Sequence, residues 1–426
     1  IQLVRNSKPY LDSIDRLNNK FKIQKIITGY SYQNSEKNWR LNYAGLFKIP
    51  LYNTVQGWNL STSLSYTKRS KDDRKYTTFG TKFNYGFAEE RFRASGYFLS
   101  RLSAKTNSFL SIKGGSEVTQ FNQNEPIGRL ANTVVSLFLK ENHMKVYEKN
   151  FANVTYSQEV INGLHMQGSL EYAERSPLFN NTDYVIIKNK IDFMSNNPLD
   201  EDDYVNPGFE RNNLVKANVN ARINFGQKYF SRPDGKFIIP NEKYPTLYLG
   251  YEKGFAASES KYNYDFVAAR VFYEQTLGNK GNFAINLKGG KFFNADEISF
   301  VDYKHFNGNQ IIISPNNRYL DMFNLLPYYS HSTNDSYTEM HVEHNFDGFI
   351  MNKIPLLNKL KSTMIIGYHH LATPENKPYQ EFSIGLDKLG FGKFKLLRLD
   401  YIRSYNGTTF LNDGIMIGLE LLKVID

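Results

Sequence analysis

Residues 215–225 read VKANVNARINF, and apolar and polar side chains alternate along the whole stretch. Successive side chains of a β-strand point to opposite faces of its sheet, so as a strand this segment has one apolar face and one polar face. The polar face carries the charges of Lys216 and Arg222. The pattern favours a strand that separates an apolar medium from water, because a strand buried on both faces reads as a continuous apolar run.

The same alternation recurs over about 400 residues, with few helical interruptions. About seventeen candidate strands follow one another. They are residues 24–33, 38–48, 56–68, 76–87, 91–102, 107–115, 150–158, 162–174, 213–225, 246–254, 262–275, 281–293, 336–346, 361–372, 379–387, 395–404 and 413–422. This repetition predicts an all-β chain that forms a transmembrane antiparallel β-barrel, apolar outside and polar inside. Because bacterial single-chain barrels have an even number of strands, we expect about sixteen, with eighteen as the next choice.

Composition agrees with a barrel and excludes a bundle of membrane helices. No run approaches the roughly 18 apolar residues that a membrane helix needs; the best candidate is the short segment 134–139. Aromatic residues reach 15%, with 32 Phe and 30 Tyr, and many stand at the ends of the alternating runs, as interfacial girdles require. An aromatic-rich soluble β-protein is the alternative.

The charge balance points to envelope lipid rather than to nucleic acid. The chain of 426 residues has 52 Lys and Arg against 42 Asp and Glu, a net charge of +10. The basic residues are scattered singly instead of being gathered in a stripe or a helix, so we predict no nucleic-acid partner. A solvated lumen and loops that face anionic lipopolysaccharide explain the excess. The absence of Cys suits an oxidising envelope compartment.

The chain divides into a polar lead-in, residues 1–23, and a barrel, residues 24–426. Four connections are long: residues 116–149, 175–212, 226–245 and 294–335. The first has apolar residues at helical spacing and predicts one short amphipathic helix. The second contains the acidic cluster of residues 200–203. Loops beyond about 15 residues are usually functional or disordered, so we expect any specific activity in these connections.

One constellation has the residue types of a metal site. Glu339, His341 and Glu343 alternate on one strand face, and two carboxylates with an imidazole can hold a divalent metal. Residues two apart on a strand stand about 6–7 Å apart, so one strand alone cannot close a tight site. We therefore favour a polar lumenal cluster of hydrogen bonds and ion pairs, and predict no metal and no other cofactor.

Further charges should point into the lumen, where we expect a lattice of ion pairs that holds strands and inserted loops in register. They are Lys82, Lys216, Arg222, Lys288, Arg398 and Asp400. Nucleophile motifs are missing: the sequence has no G-x-S-x-G, no Cys and no phosphate-binding Gly-rich loop. We predict that the protein is not an enzyme.

Several segments resemble one known family. They are residues 52–58 (YNTVQGW), 178–184 (LFNNTDY), 302–310 (DYKHFNGNQ), 323–329 (FNLLPYY), 332–335 (STND) and 341–357 (HVEHNFDGFIMNKIPLL). They resemble the uncharacterised Gram-negative outer-membrane barrel family that carries a carboxypeptidase-regulatory-like domain ahead of its barrel. The resemblance spans nearly the whole barrel and implies the outer membrane of a Gram-negative bacterium. The regulatory-like domain is not present in this sequence.

A more distant similarity reaches the barrel-assembly insertase and translocase superfamily. In those proteins a long loop after the eleventh strand folds into the lumen and carries a Gly-rich motif with a key Arg, and five strands follow. Here five strand candidates follow the longest connection, so the similarity implies a lumen loop at His305, Phe306, Asn307, Gly308 and Asn309. The Arg is not matched, because Asn309 and Gln310 stand near its place.

These observations lead to two functional hypotheses. The first is a non-enzymatic barrel that acts in outer-membrane protein assembly, export or surface display, as part of a larger envelope complex. Its partners would be outer-membrane lipid, lipopolysaccharide and other envelope proteins. The alternative is a passive or ligand-binding pore whose basic lumen favours anions.

Overall fold

One large antiparallel sheet makes up most of the molecule. The structure, a computed structural model, describes residues 7–46, 51–70, 74–187, 192–232, 235–314, 319–355, 357–391 and 394–419. The helices are α1 (Lys8–Asn18), α2 (Lys25–Thr28) and α3 (Arg129–Leu139). The strands are β1 (Tyr30–Asn34), β2 (Trp39–Tyr43), β3 (Leu51–Asn53), β4 (Gly57–Arg69), β5 (Tyr76–Gly86), β6 (Arg91–Ser103), β7 (Ser108–Gln120), β8 (Val146–Ile161), β9 (Leu164–Pro177), β10 (Asn212–Asn224), β11 (Lys228–Arg232), β12 (Gly235–Ile239), β13 (Thr246–Phe255), β14 (Tyr264–Thr276), β15 (Asn282–Phe293), β16 (Ile313–Ser314), β17 (Ser336–Asn345), β18 (Thr363–Thr373), β19 (Asn376–Phe391), β20 (Phe394–Asn406) and β21 (Thr409–Leu419).

The main sheet is an up-and-down meander. Within the described ranges it has nineteen strands; two of these, β3 and β16, are short, and the other seventeen pair antiparallel in chain order. Every candidate strand of the sequence has its counterpart among those seventeen, which is one more than the sixteen expected. The remaining two strands, β11 and β12, form a separate hairpin. The predicted all-β antiparallel barrel class is confirmed.

The two faces of the sheet differ as the alternation predicts. In β10 the Lys216 side chain is 12% exposed and reaches an inner carboxylate, whereas the outward Val219 is 50% exposed. Large apolar side chains on other strands are exposed in the same way: Phe79, Val154, Leu170, Leu287, Phe382, Ile384 and Ile415. Such a band is costly in water but matches the hydrocarbon core of a membrane.

The connections differ between the two ends of the barrel. We call the end that carries residues 121–145, 178–211 and 294–335 the loop end. The opposite end, which we call the turn end, has mostly short turns, such as residues 104–107 and 162–163. The β11–β12 hairpin also lies there, where Lys236 Nζ contacts Glu159 Oε1 at 2.6 Å. The longest connections outside the sheet are therefore gathered at the loop end.

The amphipathic helix predicted within residues 116–149 is α3, at the loop end. Its Val135 and Leu137 side chains are buried, and Thr133 Oγ1 accepts a 2.9 Å hydrogen bond from the Tyr52 backbone N–H. Residues 121–145 and 192–211 pack together here, and we call them the cap. Lys145 Nζ, for example, donates to the Ser195 carbonyl at 2.7 Å. None of the helices among the described residues is long and apolar enough to cross a membrane.

The lead-in contributes one helix at the turn end. In α1, both carboxylate oxygens of Asp15 accept hydrogen bonds from Ser35, which lies in the turn after β1, at 2.6 Å. Residues 25–28 form α2, so β1 is shorter than its candidate segment and starts only at Tyr30.

The sheet has an edge at its first and last strands. Among the described residues no register joins β1 to β21. Instead, the two-residue strand β16 pairs in parallel with Ile417 and Gly418 of β21, and the Ile312 carbonyl accepts from the Ile417 N–H at 2.9 Å. We call the region between β1 and β21 the seam.

Candidate functional site

The longest connection, between β15 and β17, folds into the lumen. We call residues 294–314 and 319–335 the plug. Its two arms hold each other by backbone hydrogen bonds: Lys304 pairs with Thr333, and the Asn309 N–H donates to the Leu326 carbonyl at 2.9 Å. The plug therefore has a defined fold of its own inside the barrel.

Gly308 is the point of closest approach between the two arms. A Cβ atom at this position would lie 2.3 Å from the Leu326 carbonyl oxygen, which is backbone and cannot move aside cheaply. Only glycine allows this contact, so the sequence needs Gly308 for packing.

The strands surround the plug with apolar contacts. On one side, Phe306, Phe323 and Leu326 are buried against the inward side chains of β17, β18 and β19, which are Tyr337, Leu371 and Tyr379. On the other side the plug residues Phe300 and Val301 pack with Phe121, Tyr147 and Phe209. Burial of one large apolar side chain stabilises by about 1.5–3 kcal/mol, so several together hold the plug firmly.

A buried ion cluster fixes the first arm. Asp302 ends a short 3₁₀ helix, and both its carboxylate oxygens accept from Nη1 of Arg175 at 2.6 Å. Lys216 Nζ lies 2.6 Å from Oδ1, and Asn212 Oδ1 accepts from Arg175 Nε at 2.8 Å. Burial opposes ionisation of Asp302, but the charges of Arg175 and Lys216 outweigh it and lower its pKa. The cluster joins the plug to β9 and β10.

A buried carboxylate of β19 contacts the second arm. Glu381 of β19 is fully buried and accepts the backbone N–H groups of Asn324 and Leu325, at 2.8 and 2.7 Å. The Tyr379 hydroxyl also donates to it, at 2.8 Å. Glu381 thus gives partners to two plug N–H groups that would otherwise be buried without any.

The three candidate metal ligands, Glu339, His341 and Glu343, belong to two separate clusters. Glu339 Oε1 lies 2.8 Å from both Lys288 Nζ and His341 Nε2. Lys288 also contacts Asp321 of the plug, and His341 shares a 2.8 Å hydrogen bond with His369. The described residues contain no group of three or more potential ligands arranged to hold a metal.

The third member, Glu343, belongs to the other cluster. It lies 2.8 Å from Arg398 Nη2, and Arg398 Nε donates to Asp400 at 2.8 Å. The Arg398 guanidinium also stacks on the plug residue Tyr319, 3.6 Å from the ring centroid. Arg398 and Asp400 thus secure the plug to β20.

Two of the proposed lumenal charges stand apart from the plug. Lys82 of β5 shares the inward face with Asn84, whose Nδ2 donates to Ser61 at 2.9 Å, and the Lys82 side chain is exposed to the lumen. Arg222 is partly buried in β10, in register with His165 and Tyr248 of the neighbouring strands. The lumen beside β5 is therefore basic and solvated.

The segment from His305 to Asn309 lies inside the plug. Phe306 is in its apolar core, and Asn307 Nδ2 donates to the Asp321 carbonyl at 2.8 Å. His305 Nδ1 lies 2.7 Å from Ser332 Oγ, and burial lowers the pKa of His305 to about 3. Asn309 stands at the seam, where its Nδ2 contacts the sulfur of Met416 at 3.2 Å.

Three residues that hold the plug were not singled out in the sequence: Arg175, Glu381 and Asn122. Asn122 Nδ2 donates to the Phe306 carbonyl at 3.1 Å. For two of them the alternation predicts an inward side chain: Arg175 continues the inward-facing positions of β9, and Glu381 alternates with apolar residues in β19. Their partners lie far away in sequence, so no local pattern names them.

The comparisons with known proteins identify the family. Residues 24–386 match the C-terminal domain of a family of unknown function, DUF5686, so the chain belongs to that family. No curated protein matches it.

Three solved structures give similarity in fold. BamA from Haemophilus ducreyi, lacking POTRA domains 1–3, is 10% identical, with a TM-score of 0.43 over 96% of this chain and 76% of that one. CdiB from Acinetobacter baumannii is 11% identical, with a TM-score of 0.38 over 86% of this chain; the chain spans only 57% of its length. A BenF-like porin from Pseudomonas fluorescens Pf-5 is 11% identical, with a TM-score of 0.30 over 89% of this chain and 95% of that one. At these scores the likenesses assign no role to this chain, so functional inference depends on the geometry of the plug and the seam.

Proposed function

We propose that this member of the DUF5686 family is a non-enzymatic component of the Gram-negative outer membrane that handles other polypeptide chains during protein assembly, export or surface display. The observation that carries the proposal is the seam. An edge strand inside a bilayer has backbone groups that lipid cannot satisfy, at a cost of several kcal/mol for each unpaired group. A strand of another chain is the natural partner for such an edge.

The pairing at β21 supports this role. Among the described residues, the β21 edge away from β20 is paired only at Ile417 and Gly418, by β16 of the plug. No described residue pairs with this edge at residues 409 to 416. In this proposal β16 holds the place that an incoming strand takes, and strand entry displaces it.

The plug also argues against free diffusion through the lumen. Ion clusters and apolar packing hold it to β9, β10, β15 and β17 to β20 at several independent points. A barrel with a plugged lumen suits a scaffold that acts through its strands and not through its lumen. The carboxypeptidase-regulatory-like domain that the family resemblance implies belongs to the same proposal. So do the expected partners, which are outer-membrane lipid, lipopolysaccharide and other envelope proteins.

Locking the seam tests the proposal. The chain has no Cys, so Ile313→Cys with Ile417→Cys, at positions in register, gives one thiol pair that a short thiol-reactive bridge can join. The purified protein in liposomes is then mixed with an unfolded outer-membrane barrel protein, and the protease-protected client fraction is measured. We expect the bridged protein to lose any acceleration of client insertion that the unbridged protein gives.

A matched pair controls for the bridge itself. Val219→Cys with Tyr251→Cys joins two outward residues of strands that are already paired, so activity should survive. If the bridged seam variant works as well as the control, the seam is not the working surface.

The second candidate is a basic pore, and the exposed Lys82 favours it. Single-channel recording in planar bilayers separates the two functions. A steady anion-selective current from the intact protein supports a pore, because cationic side chains lining a lumen attract anions. We expect no steady current, since the plug occupies the lumen.

A further inference from the structure

A large cleft separates the plug from the cap at the loop end. Its volume is about 740 Å³, and one wall is formed by residues 198–210 while the other comes from plug residues between 298 and 332. Sites that bury a drug-sized ligand have volumes of about 300–1,000 Å³. The cleft is therefore large enough for a short peptide segment and larger than a single amine requires.

The cleft combines aromatic rings with negative charge. Six aromatic side chains line it: Phe209, Tyr262, Phe300, Tyr303, Tyr328 and Tyr329. Among its described lining residues only Glu201 and Glu210 are charged, and both are acidic, although the whole chain carries +10. Aromatic faces and carboxylates together attract a cationic group.

The neighbouring basic side chains have closer partners than the two cleft carboxylates. Arg211 pairs with Glu174, and Lys261 Nζ lies 3.0 Å from Glu259. Lys145 reaches Glu201 only at 4.0 Å, because its Nζ donates to the Ser195 carbonyl at 2.7 Å. Within the described part of the chain, the Glu210 carboxylate accepts a long hydrogen bond from the Tyr262 hydroxyl, at 3.5 Å, and forms no ion pair.

We propose that the cleft binds a peptide segment that carries Lys or Arg side chains. The cationic head would lie between Glu201 and Glu210, and its aliphatic stem would pack on the rings. Tyr and Ser hydroxyls along the walls, including those of Ser330 and Ser332, supply partners for the peptide backbone. This site is separate from the seam and does not depend on the role proposed there.

Occupancy should also stabilise the plug. Ser299 and Phe300 line the cleft and immediately precede Val301 and Asp302, whose carboxylate anchors the plug to Arg175. A peptide that contacts both walls binds only the docked plug, so it shifts the equilibrium towards that state.

Binding of fluorescein-labelled pentalysine to the full chain in detergent micelles, measured by fluorescence anisotropy, tests the proposal. We expect saturable binding that weakens as salt is added, and at least a tenfold loss of affinity in Glu201→Gln/Glu210→Gln. The control Glu125→Gln removes an exposed carboxylate at the same end that does not line the cleft, so it should bind like the unmodified protein. Hydrogen exchange should slow at residues 298–306 when pentalysine is bound.

Three results would overturn the assignment. The first is equal affinity for pentaglutamate or for a neutral Gly-Ser peptide, because charge then selects nothing. The second is unchanged pentalysine binding in the double variant, which places the binding elsewhere. The third is spermidine binding as tight as that of pentalysine, since the cleft would then take a free polyamine and not a peptide.

Discussion

Asp302→Asn removes the charge that holds two buried cations to the plug. The substitution keeps the shape of the side chain but leaves Arg175 and Lys216 without their shared counter-charge, in a site where the Asp302 side chain is 0% exposed. Breaking a buried ion pair by changing one partner costs about 3–5 kcal/mol. Each 1.36 kcal/mol is a factor of ten, so plug docking should weaken by roughly two to four orders of magnitude.

Amide hydrogen exchange, followed by mass spectrometry on the folded barrel in micelles, reads out this loss locally. We expect exchange to accelerate by at least a hundredfold at residues 298–306 and 323–326, while the outer strands keep their protection. Asp265→Asn is the control, because Asp265 is a partly exposed carboxylate on the outer face, and its partner Lys253, 2.9 Å away, is about half exposed. It should leave the plug unchanged.

A second substitution tests whether the positive charge left near position 302 causes the faster exchange. Adding Lys216→Met to Asp302→Asn removes one of the two cations that lose Asp302 as a counter-charge, so part of the protection should return; among the described carboxylates Lys216 keeps only Glu252, at 3.8 Å. If Asp302→Asn accelerates exchange in the plug by less than tenfold, the ion cluster is not what holds the plug and the assignment of Asp302 as its anchor is wrong.

Three further perturbations test other plug contacts. Gly308→Ala places a Cβ 2.3 Å from the Leu326 carbonyl and should release the plug to protease, whereas Gly96→Ala, whose Cβ would meet nothing closer than 3.8 Å, should not. Glu381→Ala leaves the N–H groups of Asn324 and Leu325 buried without acceptors and should destabilise docking by about 1–3 kcal/mol for each, which hydrogen exchange at 323–326 reports. His305 has a pKa of about 3 in the fold against 6.5 ordinarily, so it stays neutral when docked; its contribution is intact above pH 6.5 and is lost as the pH falls from there towards 3. Exchange in the plug should therefore accelerate on acidification, and His305→Asn should flatten that dependence.

The strand pattern was predictable because it is local. Alternation depends on residues two positions apart. Each candidate strand contains enough such residues to show which of its faces is apolar. Residues 25–28 break the rule: Lys25 to Thr28 form one helical turn, and within the candidate 24–33 only Tyr30 and later residues belong to the strand. The β11–β12 hairpin was also missed, although Pro233, Asp234 and Gly235 between two short apolar runs are typical turn residues.

The plug contacts were not predictable from one sequence. Asp302 and Arg175 are 127 positions apart, and Glu381 stands 57 positions from Asn324. No spacing rule joins such residues, since only the curvature of the whole sheet brings their strands to the same interior. The inward direction of Lys216, Lys288 and Arg398 followed from alternation, but their partners Asp302, Asp321 and Tyr319 all come from one irregular connection.

Binding at the seam and binding in the cleft shift the equilibrium between docked and undocked plug in opposite directions. A strand that pairs with β21 must displace β16, which belongs to the plug, so strand entry favours an undocked plug. A cationic peptide in the cleft contacts plug and cap together and favours the docked plug. Binding couplings are reciprocal, so pentalysine should weaken the association of a client strand with the seam by the factor by which that strand weakens pentalysine binding. Both affinity factors should be measured on one preparation. Equal factors support the plug as the element that couples the two sites, whereas independent sites would leave each affinity unchanged.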